Sequence, residues 1–309
     1  MRRHFVHFLW GSLLAILGLV FVFFISVWNG WVGYMPNMDE LSNPIDKFAS
    51  QVYSSDQQLI GTWNADNNNR VAIDYNGLSP HLVHALVATE DERFYEHSGV
   101  DFIALGRAVV KRGVMGQASA GGGSTITQQL AKQLFSEKAH STVERLLQKP
   151  IEWIIAVKLE RYFTKEEILA MYFNYFDFLH NAVGIKRAAN VYFNKEPRKL
   201  TVTESAMLVG LCKNPSMFNP LRHPERCLQR RNVVLMQMVK SGYVTKDEYK
   251  ELSQRPLGLH FTKSKPVSGA GDYFQAFLRQ YMMAKKPERE NYQSWQNRQF
   301  VLDSIAWEQ

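Results

Sequence analysis

Residues 90 to 101 read Glu90-Asp91-Glu92-Arg93-Phe94-Tyr95-Glu96-His97-Ser98-Gly99-Val100-Asp101, the densest run of reactive side chains in the chain. A carboxyl group at the end of an apolar helix suits general-base work, because partial burial disfavours the charged form and brings proton affinity towards neutral pH. An acidic turn facing solvent, with ordinary salt bridges, is the alternative for the same residues. A second cluster, Gly123-Ser124-Thr125-Ile126-Thr127-Gln128-Gln129-Leu130-Ala131-Lys132, is a loop-to-helix junction rich in hydrogen-bonding groups. Free amides at a helix start, with hydroxyls and a lysine, make a cradle for phosphate oxygens. It is no nucleotide P-loop, since Gly122 or Gly123 stands where GK[ST] requires lysine. Alone, it also reads as a flexible linker ending in a helix cap.

These clusters need helices to hold them. Ser79 before Pro80 predicts a helix start, after which Leu82, Ala85, Leu86 and Thr89 fall near one face. Thr164 with Glu167, Thr201 with Glu204, and Thr245 with Glu248 are three capping-box spacings. Residues 80–255 are therefore expected to be largely α-helical. Pro150 interrupts the apolar-periodic run from Thr142 to Tyr162 and predicts a kink or restart, because it lacks an amide hydrogen. Ser119-Ala120-Gly121-Gly122-Gly123 predicts a mobile loop before a helix opening near Thr125. Upstream, QVYSSDQQLIGTW, NADNNNR and VAIDY predict a short strand–turn–strand connector.

The chain has 309 residues, 46% of them hydrophobic, enough for a sizeable core. Phe8 to Trp28 is uncharged and long enough as a helix to cross a hydrocarbon layer of about 30 Å. A cleavable signal peptide would have a shorter apolar run and a small-residue cleavage site, which SVWNGW lacks. Arg2 and Arg3 before the span, and Asp39 and Glu40 after it, place the N-terminus in the cytoplasm and the rest outside the membrane. Trp10, Trp28, Trp31 and Tyr34 suit the two headgroup zones. With the chain exported, the net charge of +7 points to anionic lipids and pyrophosphates and away from nucleic acid. Cys212 and Cys227 imply no disulfide framework and read as free or buried thiols. His81 and His84 lack a third convincing zinc ligand.

The order and separation of the two clusters carry a family resemblance. Glu90-Asp91-x-x-Phe94-x-x-His97-x-Gly99-x-Asp101 followed by Gly123-Ser124-Thr125-Ile126-Thr127-Gln128-Gln129-Leu130-x-Lys132 resembles the first two motifs of glycosyltransferase family 51. That family supplies the glycosyltransferase domains of class A penicillin-binding proteins and the monofunctional peptidoglycan glycosyltransferases. Lys149-x-x-Glu152 resembles the third motif, the segment Lys158 to Asn174 the fourth, and Leu200 to Leu211 the fifth, so the resemblance spans roughly residues 35–255.

The resemblance implies a mainly α, two-lobed lysozyme-like glycosyltransferase domain preceded by a single transmembrane helix. The boundaries expected are a cytoplasmic stretch 1–7, the helix 8–28, a connector 29–79, the glycosyltransferase domain 80–255, and a linker or truncated C-terminal region 256–309. Glu90 is implied as the general base and Glu152 as the second essential glutamate, orienting the donor directly or through a divalent cation such as Mg or Mn. Lys132 and Lys149 are implied to neutralise a pyrophosphate; Asp91, Phe94, His97, Ser124, Thr125, Gln128 and Gln129 occupy binding or scaffolding positions. Most members read Arg-Lys-x-x-Glu where this chain has Gln148-Lys149-Pro150-Ile151-Glu152, so a phosphate-binding arginine is missing. Arg145, one turn earlier on the same face as Lys149, is the expected replacement. The basic loop from Arg107 through Lys111, Arg112 and Gly113 to Gly123 is expected near the bilayer.

The implied activity is inverting polymerisation of lipid II into β-1,4 glycan with release of undecaprenyl pyrophosphate, at the inner membrane. Implied partners are lipid II, the nascent glycan, membrane lipids and other cell-wall synthesis proteins. A lysozyme-like cell-wall hydrolase and a catalytically silent membrane-anchored scaffold are the rivals. Lys240-Ser241-Gly242 mimics one penicillin-binding motif, but no Ser-x-x-Lys occurs. That combination, with the polar end of the chain, leads us to expect a truncated bifunctional synthase lacking its transpeptidase.

Overall fold

The structure is a computed structural model describing residues 2–31, 34–37, 41, 50–53, 59–63, 72–110, 123–136, 141–262, 287–291 and 297–308. It is mainly helical. Residues 1–46 with 72–263 form one compact unit, and residues 47–71 with 264–309 a second.

In the second unit, β1 (Ser50–Tyr53) pairs antiparallel with β2 (Leu59–Trp63), with an irregularity between Val52 and Tyr53. The expected hairpin therefore lies within QVYSSDQQLIGTW, and the NADNNNR turn lies outside the described residues. The end of VAIDY, in the first unit, makes no strand. The side chain of Asn174 satisfies the Ile73 backbone instead, taking its amide at 3.2 Å and donating to its carbonyl at 2.8 Å. This leaves no ladder for the segment to join.

In the first unit, α1 runs from Arg2 to Trp28, so the helix begins before the apolar stretch does. It is long and apolar enough to cross a membrane. Its C-terminal end packs on α5 (Thr142–Tyr162). Phe24 stacks on Trp153, Val27 is fully buried, and Lys158 and Arg161 sit over the Trp28 ring at 4.9 and 6.0 Å. Cations over an indole face are attracted by its quadrupole.

The remaining helices fall into two packed sets. α2 (Pro80–Glu90), α8 (Val202–Lys213) and α9 (Pro224–Lys240) pack on one another, while α4 (Ile126–Phe135) packs on α5 and on α6 (Lys165–Tyr175). Apolar faces drive this arrangement: Leu82 and Leu86 of α2, Leu130 of α4 and Phe173 of α6 are fully buried. Helices α3 (Phe102–Val109), α7 (Ile185–Phe193) and α10 (Lys246–Gln254) complete the unit, and α11 (Asn297–Glu308) belongs to the other.

All three expected capping boxes are formed, opening α6, α8 and α10. Ser79 precedes α2 with Pro80 in its first turn, but makes no side-chain cap. Its buried hydroxyl donates to the carbonyl of Leu200 at 3.0 Å, a tertiary use that overrides the local one. Pro150 does not restart its helix: α5 is continuous across it. The lost amide bond and the crowding of the ring cost about 3 kcal/mol, and the buried Ile154, Ile155, Ala156 and Leu159 beyond it offset that cost. Both cysteines are buried free thiols, and burial pushes Cys227 up to about 12.

Arg231 anchors the end of this unit. It is 1% exposed, and its guanidinium donates to the carbonyls of Leu252, Ser253, Arg255 and Pro256, at the C-terminus of α10. A cation there satisfies carbonyls that a helix end leaves open and opposes the helix dipole. Arg231→Met should lower stability by about 3 kcal/mol, because the stranded acceptors are backbone and cannot be removed with the charge. Denaturant unfolding measures the loss, and faster hydrogen exchange in residues 246–256 locates it.

Candidate active site

Glu90 is the last residue of α2, so the helix delivers its carboxylate to the junction of the two packed sets. One oxygen accepts from Gln129 Nε2 of α4 at 3.0 Å, and the other faces Arg230 Nη2 of α9 at 3.4 Å. The Glu90 side chain is 16% exposed, reachable yet held. Behind it, the Tyr172 hydroxyl donates to Gln129 Oε1 at 3.1 Å, fixing which end of the amide points at Glu90. Burial, then Cys212 and Glu90, push Tyr172 well above its ordinary value, so it remains a donor.

Asp91 and His97 are brought together, but as a brace. Asp91 caps the end of α2, accepts the Ile126 amide at 3.0 Å, and holds His97 Nε2 at 3.1 Å from both oxygens. That ties the acidic segment to the start of α4. Phe94 is fully buried, with the His97 ring at its edge. Thr125 caps α4 by accepting the Gln128 amide at 3.1 Å and donates to the Gly99 carbonyl at 2.6 Å, where buried Gln128 also reaches. Thr127 donates to Glu160 at 2.6 Å, which pairs with Lys165.

Gly99 makes this junction possible. Its φ is +90°, and a Cβ there would lie 2.7 Å from the Ala156 backbone of α5. Gly99→Ala should destabilise the protein by at least about 2 kcal/mol, since backbone strain and overpacking add. A drop in melting temperature with loss of turnover is the expected result.

The third motif forms a charge cluster. Glu152 is fully buried, and its carboxylate accepts from Arg145 and, at 2.9 Å, from Lys149. Arg145 also donates to Gln148 Oε1 at 3.1 Å. The residue that departs from the family pattern thus orients the arginine expected to replace it. Lys149 reaches Ser124 Oγ at 3.3 Å, joining the cluster to the loop before α4. Partial burial lowers Lys132, as do nearby Arg145 and Lys149, while Glu152 opposes. Three cations about one carboxylate leave an excess of two positive charges, matched to a dianionic group.

A solvent-open cleft is lined by Glu90, Asp91, Arg93, Arg107, Ser124 and Thr125; the charge cluster does not line it and adjoins it through the Lys149–Ser124 contact. The basic loop expected beyond Arg107, from Lys111 to Gly122, lies outside the described residues. Among the described residues no three His, Cys, Asp or Glu side chains converge, and Glu152 already accepts from two cations. Sequence reasoning missed Arg230, 140 residues from Glu90 and outside the five motif segments. No local signal distinguishes it from the adjacent Arg231.

Comparison with known proteins agrees with the motifs. A family described as Transglycosylase matches residues 56–239. Penicillin-binding protein 1A of Aquifex aeolicus (strain VF5) is 37% identical over 279 residues, covering 89% of this chain and 37% of that protein. Penicillin-binding protein 1A of Escherichia coli (strain K12) is 36% identical over 248 residues, 80% of this chain and 28% of the relative. Penicillin-binding protein 1F of Bacillus subtilis (strain 168) is 39% identical over 212 residues, 69% and 29% respectively. The crystal structure of penicillin-binding protein 1A from Haemophilus influenzae aligns with TM-score 0.38 and 24% identity over 80% of this chain and 26% of that one. The chain spans about a third of the length of these curated relatives. It belongs to the transglycosylase family, the glycosyltransferase family 51 domain of class A penicillin-binding proteins.

Proposed function

We propose that the chain is a peptidoglycan glycosyltransferase that polymerises lipid II into β-1,4 glycan with inversion at the anomeric carbon. The observation that carries this reading is one cleft lined by both Glu90 and Ser124, whose hydroxyl meets Lys149 of the Lys149–Glu152–Arg145 cluster. Glu90 takes the proton of the acceptor's 4-hydroxyl as its oxygen bonds to the donor's C1. The bond from C1 to the diphosphate oxygen breaks with its electron pair, leaving undecaprenyl pyrophosphate. Attack opposite an α-linked diphosphate gives the β linkage. Lys132, Arg145 and Lys149 hold the departing charge, with Glu152 fixing two of them in place.

In this proposal residues 8–28 cross the inner membrane with the N-terminus in the cytoplasm, and residues 80–255 form the catalytic domain outside it, after a connector 29–79; the length and apolar character of α1 support the anchor. The packing of α1 on α5 supports a site held near the bilayer, where a lipid-linked substrate arrives. Against a hydrolase stands the cation cluster, since glycan cleavage has no diphosphate to hold. Purified protein incubated with labelled lipid II in detergent tests the proposal. Glycan polymer supports it; shortened glycan from added strands indicates a hydrolase, and binding without turnover a scaffold.

A further inference from the structure

We propose that Arg230 is the positioning residue that aims the Glu90 carboxylate at the acceptor hydroxyl. This rests on Glu90 acting as the base.

Arg230 rises from α9, which packs directly on α2, and its side chain is only 10% exposed. Its Nη2 lies 3.4 Å from one Glu90 oxygen while Gln129 holds the other, so donors from both packed sets grip the carboxylate. Two grips fix the plane of a group that would otherwise rotate about its terminal torsion, which is soft. Arg230 is itself confined: its guanidinium lies 5.9 Å over the Phe218 ring, and its Nε is buried without a partner. Burial lowers Arg230 and Glu90 opposes this, consistent with a cation kept for that carboxylate.

The neighbouring arginine shows what a purely structural role looks like. Arg231 spends its donors on four backbone carbonyls and the amide oxygen of its neighbour Asn232, whereas Arg230 reaches the Glu90 carboxylate. The other groups near Glu90 are Tyr172 of α6 and Cys212 of α8, both kept protonated by burial. At 3.4 Å the Arg230 contact is long, leaving that oxygen with room to receive the acceptor's proton, and such contacts tighten when substrate binds. Arg230 itself moves no proton.

The test measures kcat and KM of the full chain with lipid II for Arg230→Gln and Arg230→Lys, beside Glu90→Gln. A carboxylate displaced by about 1 Å loses on the order of 10²-fold in rate, so Arg230→Gln should lower kcat by about that factor with KM within about twofold. Arg230→Lys keeps the charge without the planar fork and should lose about tenfold at unchanged KM. If the glutamine variant does not fold, the lysine variant decides. Wild-type kcat in either folded variant overturns the proposal, as does a rise in KM with kcat preserved, which would make Arg230 a substrate-binding group. Glu90→Gln inactive with Arg230→Gln fully active sinks this inference alone; Glu90→Gln at wild-type turnover sinks the reading beneath it.

Discussion

Glu90→Gln should abolish polymerisation, by 10²- to 10⁴-fold or about that, while leaving the fold intact. The amide has nearly the shape of the carboxylate, and its oxygen can still accept from Gln129 while its nitrogen faces Arg230, where the long 3.4 Å contact limits the loss. What it cannot do is accept a proton at neutral pH. Without a base, the acceptor hydroxyl must attack as a neutral group, and the cations around Glu152 cannot supply that step. Circular dichroism and a melt within a few degrees of wild type should accompany the loss of turnover, and binding of lipid II should persist. A folded variant with wild-type turnover would remove Glu90 from the chemistry.

Glu152→Gln should be nearly as damaging, for a different reason. The buried carboxylate balances Arg145 and Lys149, and Lys132 feels all three. Replacing it with a neutral amide leaves cations facing one another with nothing to set their positions. Removing one partner of a buried pair costs about 3–5 kcal/mol, and here about 2–3, because both cations are a third exposed and solvent screens them. Turnover should fall by about 10²- to 10³-fold, the usual effect of losing one preorganised electrostatic element. Unlike Glu90→Gln, this variant should also melt earlier and bind the lipid diphosphate less tightly. Unchanged stability and unchanged affinity would show that Glu152 does not organise the cluster.

What the sequence disclosed were relations between residues close along the chain. The capping boxes at Thr164, Thr201 and Thr245 rest on a hydroxyl and a glutamate three residues apart, a spacing any helix start turns into contacts. Arg145 was readable in the same way, four residues before Lys149 on one helix face, whereas Lys149 and Glu152 came from the family resemblance. Expectations failed where a distant partner intervened. Ser79 gave up its cap for Leu200, 121 residues away, and Ile73 left its expected strand for the Asn174 amide, 101 residues away. Arg230 was hidden for the same reason: its meaning lies in a carboxylate 140 residues earlier, and its own helix offers two adjacent arginines with opposite fates. At the start of α4, where a pyrophosphate cradle was anticipated, Thr125 and Gln128 meet Gly99 and Ile126 meets Asp91, all across long sequence separations. Gly123, Ser124 and Thr125 line the cleft, and Ser124 contacts Lys149.

The most direct measurement is the linkage made in a turnover of the wild-type chain with lipid II, read by nuclear magnetic resonance of the isolated polymer. A base on one side and a diphosphate clamp on the other predict β-1,4 bonds throughout, each formed with release of one undecaprenyl pyrophosphate. Retained α configuration, or substrate left unjoined by well-folded protein, would contradict an inverting transfer at this site.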